Sequence, residues 1–207
     1  LRPDAYVGTP SFLRVIIERA RESGADIAPL KHALLAAEAL PASLRAWFRE
    51  QGLQRVLQWY GTADVGLIAY ESEALEGMIL DEDLVLEVVR PGTGEPVPDG
   101  EVGEVVVTSS NPDYPMIRFG TGDLSAVLPG RSPCGRTNVR IRGWLGRADQ
   151  TTKVRGMFVH PGQVADIVRR HPDVRRARLV IEGEMANDRM TLHAEVDAPS
   201  PELSARL

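Results

Sequence analysis

Arg55-Val56-Leu57-Gln58-Trp59-Tyr60-Gly61-Thr62-Ala63-Asp64 is the stretch on which the fold turns. Arg55 to Trp59 reads as a short buried strand, so Tyr60 to Asp64 is expected just after a strand end. Two helical patterns precede it. In the first, Thr9 caps, Pro10 takes the first position, Phe12, Leu13, Ile16, Ile17 and Ala20 recur at helical spacing, and Gly24 stops the run. In the second, Pro41 opens a run with Leu44, Trp47 and Phe48 on one face, ended by Gly52. Helices that lead into a strand ending on a Gly-containing loop fit an open α/β sheet, where ligand loops sit at strand ends.

Downstream the period changes. Leu84 to Arg90 and Glu101 to Thr108 are β-branched runs separated by Pro91 to Gly100, a stretch dense in turn residues, and predict a hairpin in a mainly β unit. Short strands are expected at Met116 to Phe119, Leu124 to Leu128 and Val139 to Ile141, with a loop at Pro129 to Thr137. From about Gln150 a strand or hairpin, Thr152 to Val159, leads through Pro161 into a helix with Val164, Ile167 and Val168 inward. Strands follow at Val174 to Ile181 and Met190 to Val196. The fold class is therefore α/β, then β, then α+β, divided at residues 1–81, 82–148 and 149–207.

Composition narrows the function classes. The 29 acidic and 24 basic residues leave a formal charge of -5, which gives no global attraction to nucleic acid or an anionic membrane. No apolar run approaches the roughly 20 residues needed to span a bilayer. A single cysteine, Cys134, rules out an intrachain disulfide framework, fits a reducing compartment and makes the cytoplasm the expected location. Leu1-Arg2-Pro3-Asp4 has no signal-peptide layout, and the lack of an initiator Met suggests a fragment, a processed product or a trimmed chain.

Three islands carry candidate chemistry. In Tyr60 to Asp64, a planar Tyr60 can stack on a purine, Gly61 lets the backbone approach, the Thr62 hydroxyl can reach a phosphate oxygen, and Asp64 can hold Mg2+. The competing reading is a tight turn with a core tyrosine. Asp123, in Thr121-Gly122-Asp123, is expected in a Gly-flanked turn, where its carboxylate can accept from a ribose diol or be an ordinary turn aspartate. Arg147 and Asp149, in Gly146-Arg147-Ala148-Asp149, fall at the expected domain joint; their alternative is a solvated linker pair. From Arg131 to Arg155 there are seven basic residues (Arg131, Arg136, Arg140, Arg142, Arg147, Lys153, Arg155) against Asp149, which suits phosphates or a solvated rim of β loops equally. Cys134 lacks a second cysteine at zinc spacing, and no Walker loop, Rossmann fingerprint or Gly-x-Ser-x-Gly elbow is present.

Taken in order, these islands resemble the adenylate-forming superfamily and, within it, the phenylacetate-CoA ligase family. The resemblance runs through Gly8-Thr9-Pro10-Ser11, Ala36-Ala37-Glu38, Tyr60 to Asp64, Pro115 to Phe119, Thr121-Gly122-Asp123-Leu124, Pro133 to Thr137, Gly146 to Asp149 and Arg155 to Pro161. It implies the end of a large adenylation domain, comprising part of its α/β subdomain and a small β-barrel-like subdomain, followed by a truncated α+β C-terminal lid. It implies ATP, Mg2+ and coenzyme A as cofactors and a small aromatic carboxylate as substrate, which is adenylated and then passed to coenzyme A. Nucleic acid and membranes are not expected partners; a homodimer is one option.

The implied site residues follow. Ala36, Ala37 and Glu38 would line the adenine, Tyr60 would stack on it with Trp59 and Gly61 beside it, and Gln58 would face its amino group. Thr62 would meet the α-phosphate and Asp64 the metal, as the catalytic pair. Asp123 and Arg147 would meet the ribose hydroxyls, Asp149 would be the hinge, and Gly156 would lie beside the pantetheine tunnel. The chain departs from the family pattern at Asp64, where Glu is usual, at Phe119-Gly120 in place of Tyr-Arg, and at Ser132 in place of the first cysteine of Cys-Pro-Cys-Gly. The family's phosphate loop would lie upstream of Leu1 and its lysine downstream of Leu207, so the isolated chain is expected to be inactive. The alternatives are an adenylating enzyme serving a carrier protein and a non-catalytic nucleotide-binding module.

Overall fold

The computed structural model describes residues 2–150, 152–154, 157–159, 161–182, 189–200 and 203. The chain divides into two compact units, Leu1–Thr121 with Ser125–Trp144, and Gly122–Leu124 with Leu145–Leu207.

In the first unit, β1 (Ala5–Gly8), β2 (His32–Leu35) and β3 (Arg55–Thr62) pair in parallel. The connections are α1 (Pro10–Ser23) and α2 (Ala42–Glu50). α1 begins where the sequence places it: Thr9 accepts a hydrogen bond from the Phe12 N–H, Pro10 needs no partner for its missing N–H, and Gly24 ends the helix at φ 69°. Leu13 and Ile17 of α1 and Phe48 of α2 are fully buried against Ala33, Leu35 and Val56 of the strands, with Leu30 and Leu53 completing the cluster.

After β3 the sheet becomes antiparallel through β4 (Gly66–Glu71), β5 (Met78–Leu80), β10 (Arg140–Ile141) and β9 (Val127–Leu128), giving the order β1-β2-β3-β4-β5-β10-β9. Thus strands from the stretch 127–141 close the sheet that β1 opens. A second sheet holds β6 (Leu84–Val89), β7 (Gly103–Ser109) and β8 (Phe119–Ser125), with β6 and β7 paired antiparallel as expected. Val105 and Val107 of this sheet pack with Tyr60, Ile68, Ala69, Met78, Leu80 and Ile141 of the first in one buried cluster.

Four expectations need correction. Tyr60-Gly61-Thr62 does not follow the strand but lies in it, because Gly66 at φ 84° turns the chain back and β4 pairs with β3 as far as Thr62↔Gly66. Thr121-Gly122-Asp123 is likewise within β8 rather than in a turn. Met116 to Arg118 is not a strand; Arg118 sits at φ 47°, a left-handed conformation, and the strand begins only at Phe119. The expected strand Leu124 to Leu128 is split between β8 and β9.

The second unit contains the hairpin β11 (Thr152–Val154) and β12 (Met157–Val159), α3 (Pro161–Arg170), and the hairpin β13 (Val174–Glu182) and β14 (Arg189–Val196). α3 lies against β13, with Val164, Ile167 and Val168 half-buried. No helix among the described residues is long and apolar enough to cross a membrane.

Candidate functional site

The parallel strands fix where a ligand site can form. The last row of their register is Gly8↔Leu35↔Gln58, so Thr9 to Ser11 and Ala36 to Glu38 leave from the C-terminal edge of β1 and β2, beside Trp59 and Tyr60, where β3 runs on past the parallel register. That edge is where open α/β sheets leave a crevice. Ala36 is buried and its N–H donates to the Gly8 carbonyl at 3.0 Å. Ala37 takes φ 65°, a left-handed conformation that costs an L-residue roughly 1–2 kcal/mol. It turns Glu38 toward the start of α1, where the carboxylate accepts from the Ser11 hydroxyl at 2.8 Å and the Ser11 N–H at 3.1 Å. A carboxylate at a helix N-terminus meets both an unpaired N–H and the favourable end of the dipole.

Gln58 belongs to a network that the sequence did not reveal. Arg45 of α2 grips Glu71 of β4 with two hydrogen bonds, Nη1 to Oε2 at 2.8 Å and Nη2 to Oε1 at 2.7 Å. The two side chains are only 14% and 11% exposed. Arg45 also donates to the Val56 carbonyl at 2.6 Å and the Gln58 Oε1 at 3.3 Å, while the Gln58 N–H donates to Glu71 Oε2 at 2.7 Å. Residues 45, 58 and 71 share no local motif; only a search for opposite charges flanking the β3 run would have paired them.

Tyr60 is 8% exposed and packs in the core, and its hydroxyl donates to Thr121 Oγ1 at 3.2 Å, which in turn donates to the Val105 carbonyl at 2.9 Å. The core-tyrosine reading thus describes most of its ring. Trp59 is half-buried on the alternate face of β3. Gly61 sits at a bulge, and a Cβ there would meet the Gly66 carbonyl oxygen well inside the 3.0 Å that real Cβ atoms keep. Thr62 Oγ1 accepts from the Val65 N–H at 3.1 Å, closing the turn and leaving its own O–H to donate. Asp64 is exposed on that turn and forms no ion pair among the described residues.

In the second unit, Asp123, Arg147 and Asp149 come together. Asp123 is buried; Arg147 Nη1 donates to its Oδ1 at 3.1 Å, and Arg147 Nε lies 3.6 Å from Asp149 Oδ1. The hydrogen bond to Asp123 is the largest cause of an upward shift in the Arg147 pKa. The backbone supports the pair, since Leu124 N–H donates to the Gly146 carbonyl and Leu145 N–H to that of Leu124. Gly122 stands at φ 70°, and a Cβ there would lie 2.5 Å from Arg147 Nη2, so only glycine leaves the guanidinium its place. Asp149 is in a 3-10 turn, Ala148–Gln150. Gly156 lies outside the described residues.

The basic stretch is not a uniform rim. Arg140 is buried, donating to the carbonyls of Glu76 and Pro129, and Arg136 lies over the Tyr70 ring. Arg136 Nη1 also approaches the sulfur of the exposed Cys134, whose pKa falls from 9.0 to about 6, first through its hydrogen bond with the Ser132 hydroxyl. Its thiolate therefore forms above about pH 6 and reacts at neutral pH. Iodoacetamide alkylation should rise with a midpoint near pH 6, and Ser132→Ala should move that midpoint upward; a midpoint near 9.0 in the native chain would contradict this. Among the described residues no three His, Cys, Asp or Glu side chains gather into a metal cluster.

Comparison with known proteins gives consistent relatives. The family described as AMP-binding enzyme matches residues 1–112. Phenylacetate-coenzyme A ligase of Thermus thermophilus is 32% identical over 96% of this chain, which covers 46% of that protein. The ligase of the same name from Aromatoleum evansii is 28% identical over 95% of this chain and is also 46% covered. Among solved structures, 2-hydroxyisobutyryl-CoA ligase in an open conformation with 2-HIB-AMP and CoA superposes with a TM-score of 0.78 at 26% identity, over 99% of this chain and 46% of that one. The chain thus spans about half the length of these relatives.

Proposed function

The chain belongs to the AMP-binding enzyme family, and from that premise we infer that it is part of an ATP-dependent acid-CoA ligase. The enzyme forms an acyl-adenylate and then an acyl-CoA thioester, with phenylacetate or a related aromatic acid as substrate. The observation that carries this reading is the similarity to two phenylacetate-coenzyme A ligases, which continues past the family match through Asp123 and Arg147.

Each residue then has a chemical task. A substrate carboxylate oxygen attacks the α-phosphorus of ATP and pyrophosphate leaves; the coenzyme A thiol next attacks the acyl carbon and AMP leaves. No enzyme nucleophile is needed, so the protein contributes positioning and charge neutralisation. The Thr62 hydroxyl, already anchored as an acceptor, donates to the α-phosphate. Asp64 would hold Mg2+, a hard cation that prefers oxygen ligands and would supply charge neutralisation at the phosphates. Asp123 accepts from the ribose hydroxyls while Arg147 holds it in one orientation. Asp149, in its short 3-10 turn, is the hinge between the two half-reactions, and Tyr60 presents what ring edge its burial leaves to the base.

The isolated 207-residue chain should bind AMP weakly and catalyse no ATP-pyrophosphate exchange; exchange above a no-enzyme control would overturn the expected inactivity. Asp123→Ala should weaken AMP binding, followed by NMR titration, by about tenfold or more, the equivalent of one or two charge-assisted hydrogen bonds. Unchanged affinity in a variant that still melts cooperatively would remove Asp123 from the ribose site. In a longer protein carrying this chain, hydroxylamine trapping should give more product with phenylacetate than with acetate.

A further inference from the structure

We propose that Glu38 is a positioning residue: its carboxylate, fastened to the head of α1, holds Ala37 in the left-handed conformation and so sets the 36–38 turn as a fixed wall of the crevice at the strand edge. This rests on the nucleotide reading of that edge and deepens it.

Alanine is a poor choice for φ 65°. Glycine has no Cβ to clash there, and asparagine or aspartate can bond the nearby backbone; alanine has neither recourse. Such a conformation persists only where the surroundings impose it. The buried Ala36 supplies one fixed end, since its N–H donates to the Gly8 carbonyl at 3.0 Å. Beyond it, Ala37 and Glu38 make no backbone hydrogen bond among the described residues, so the turn does not close on itself. The polar restraint on the far side of Ala37 is the Glu38 side chain, which reaches 27 residues back to accept from the Ser11 hydroxyl and the Ser11 N–H. The same contact completes α1. Pro10 has no N–H, the Phe12 N–H donates to Thr9 Oγ1 and the Leu13 N–H to the Thr9 carbonyl, which leaves the Ser11 N–H to be met from outside the helix. Glu38 thus ties the head of α1 to the turn after β2, at the point where both leave the sheet. Ser11, Ala37 and Glu38 are all exposed, so cutting this clasp frees the turn without opening the core.

The test uses the 207-residue chain, 15N-labelled, with AMP as ligand. At positive φ a residue's own N–H and Hα lie close together, so Ala37 should give a strong intraresidue NOE between them. Glu38→Ala should weaken that NOE, and Ser11→Ala, which keeps the N–H donor, should weaken it in part. An alanine released from the clasp leaves the left-handed well by about tenfold in population, so Glu38→Ala should weaken AMP binding by about tenfold. Glycine populates both signs of φ about equally, so in an Ala37→Gly chain the same Glu38→Ala change should cost at most about twofold. A dispersed amide spectrum checks that each variant is folded. An unchanged NOE in Glu38→Ala would show that the turn holds itself, and equal AMP losses in the two backgrounds would mean that the Glu38 carboxylate meets the ligand directly; either result sinks the positioning role. If AMP does not bind the native chain, the nucleotide reading fails, while the NOE still decides whether Glu38 holds the turn.

Discussion

Glu71→Ala should lower the stability of the chain by about 3–5 kcal/mol, the penalty for leaving a buried charge without its partner. Arg45 and Glu71 are each more than four-fifths buried, and removal of the carboxylate strands the guanidinium and the Gln58 N–H together. Urea unfolding would show this as a lower midpoint at constant slope. The Arg45→Met/Glu71→Leu chain should recover most of the loss, because an apolar pair of similar volume avoids desolvating two charges. The contrast decides between two views of the pair. If the double variant were as unstable as the single, the ion pair itself would hold β3 and β4 to α2; recovery would mean that the charges serve orientation.

A second large effect is expected at Gly61. Its φ is unremarkable, so Gly61→Ala acts by contact alone: the new methyl meets the backbone carbonyl of Gly66, which no side-chain rotation relieves. Overpacking against backbone should cost about 3 kcal/mol, the upper end for an added carbon in a tight site. Gly66→Ala is the informative partner: a Cβ at that position meets nothing within 4 Å, so only its φ of 84° opposes the change. The expected loss is then about 1–2 kcal/mol. Equal losses in the two variants would show that the bulge, rather than the close approach, sets the requirement for glycine.

These two sites also show what the sequence discloses. The limits of α1 were legible because Thr9, Pro10 and Gly24 each act on the backbone within one turn. The β6 and β7 hairpin was legible because its alternation and its turn residues are contiguous. β1, β2, β4 and β5 were not anticipated: each is three to six residues long and depends on neighbours supplied from elsewhere in the chain. The glycines of Tyr60-Gly61-Thr62 and Thr121-Gly122-Asp123 suggested turns, yet they lie in strands, where Gly61 admits a carbonyl and Gly122 a guanidinium. Asp123 with Arg147 could be named from their local motifs. Arg45 with Glu71 could not, since 26 residues separate them and only the pairing of β3 with β4 beside α2 brings them together.

The way the long sheet closes bears on how this chain can be divided. The family match stops at residue 112, but the sheet it belongs to does not. β10, from 140–141, covers the outer edge of β5, β9, from 127–128, pairs with β10 in turn, and the buried Arg140 ties the Glu76 and Pro129 carbonyls across the same closure. A polypeptide cut at 112 would expose Met78, Ile79 and Leu80 along a strand with free N–H and C=O groups, an invitation to pair with another copy. Homology and foldability therefore draw different borders here: the shortest piece worth expressing for the first unit runs to Trp144.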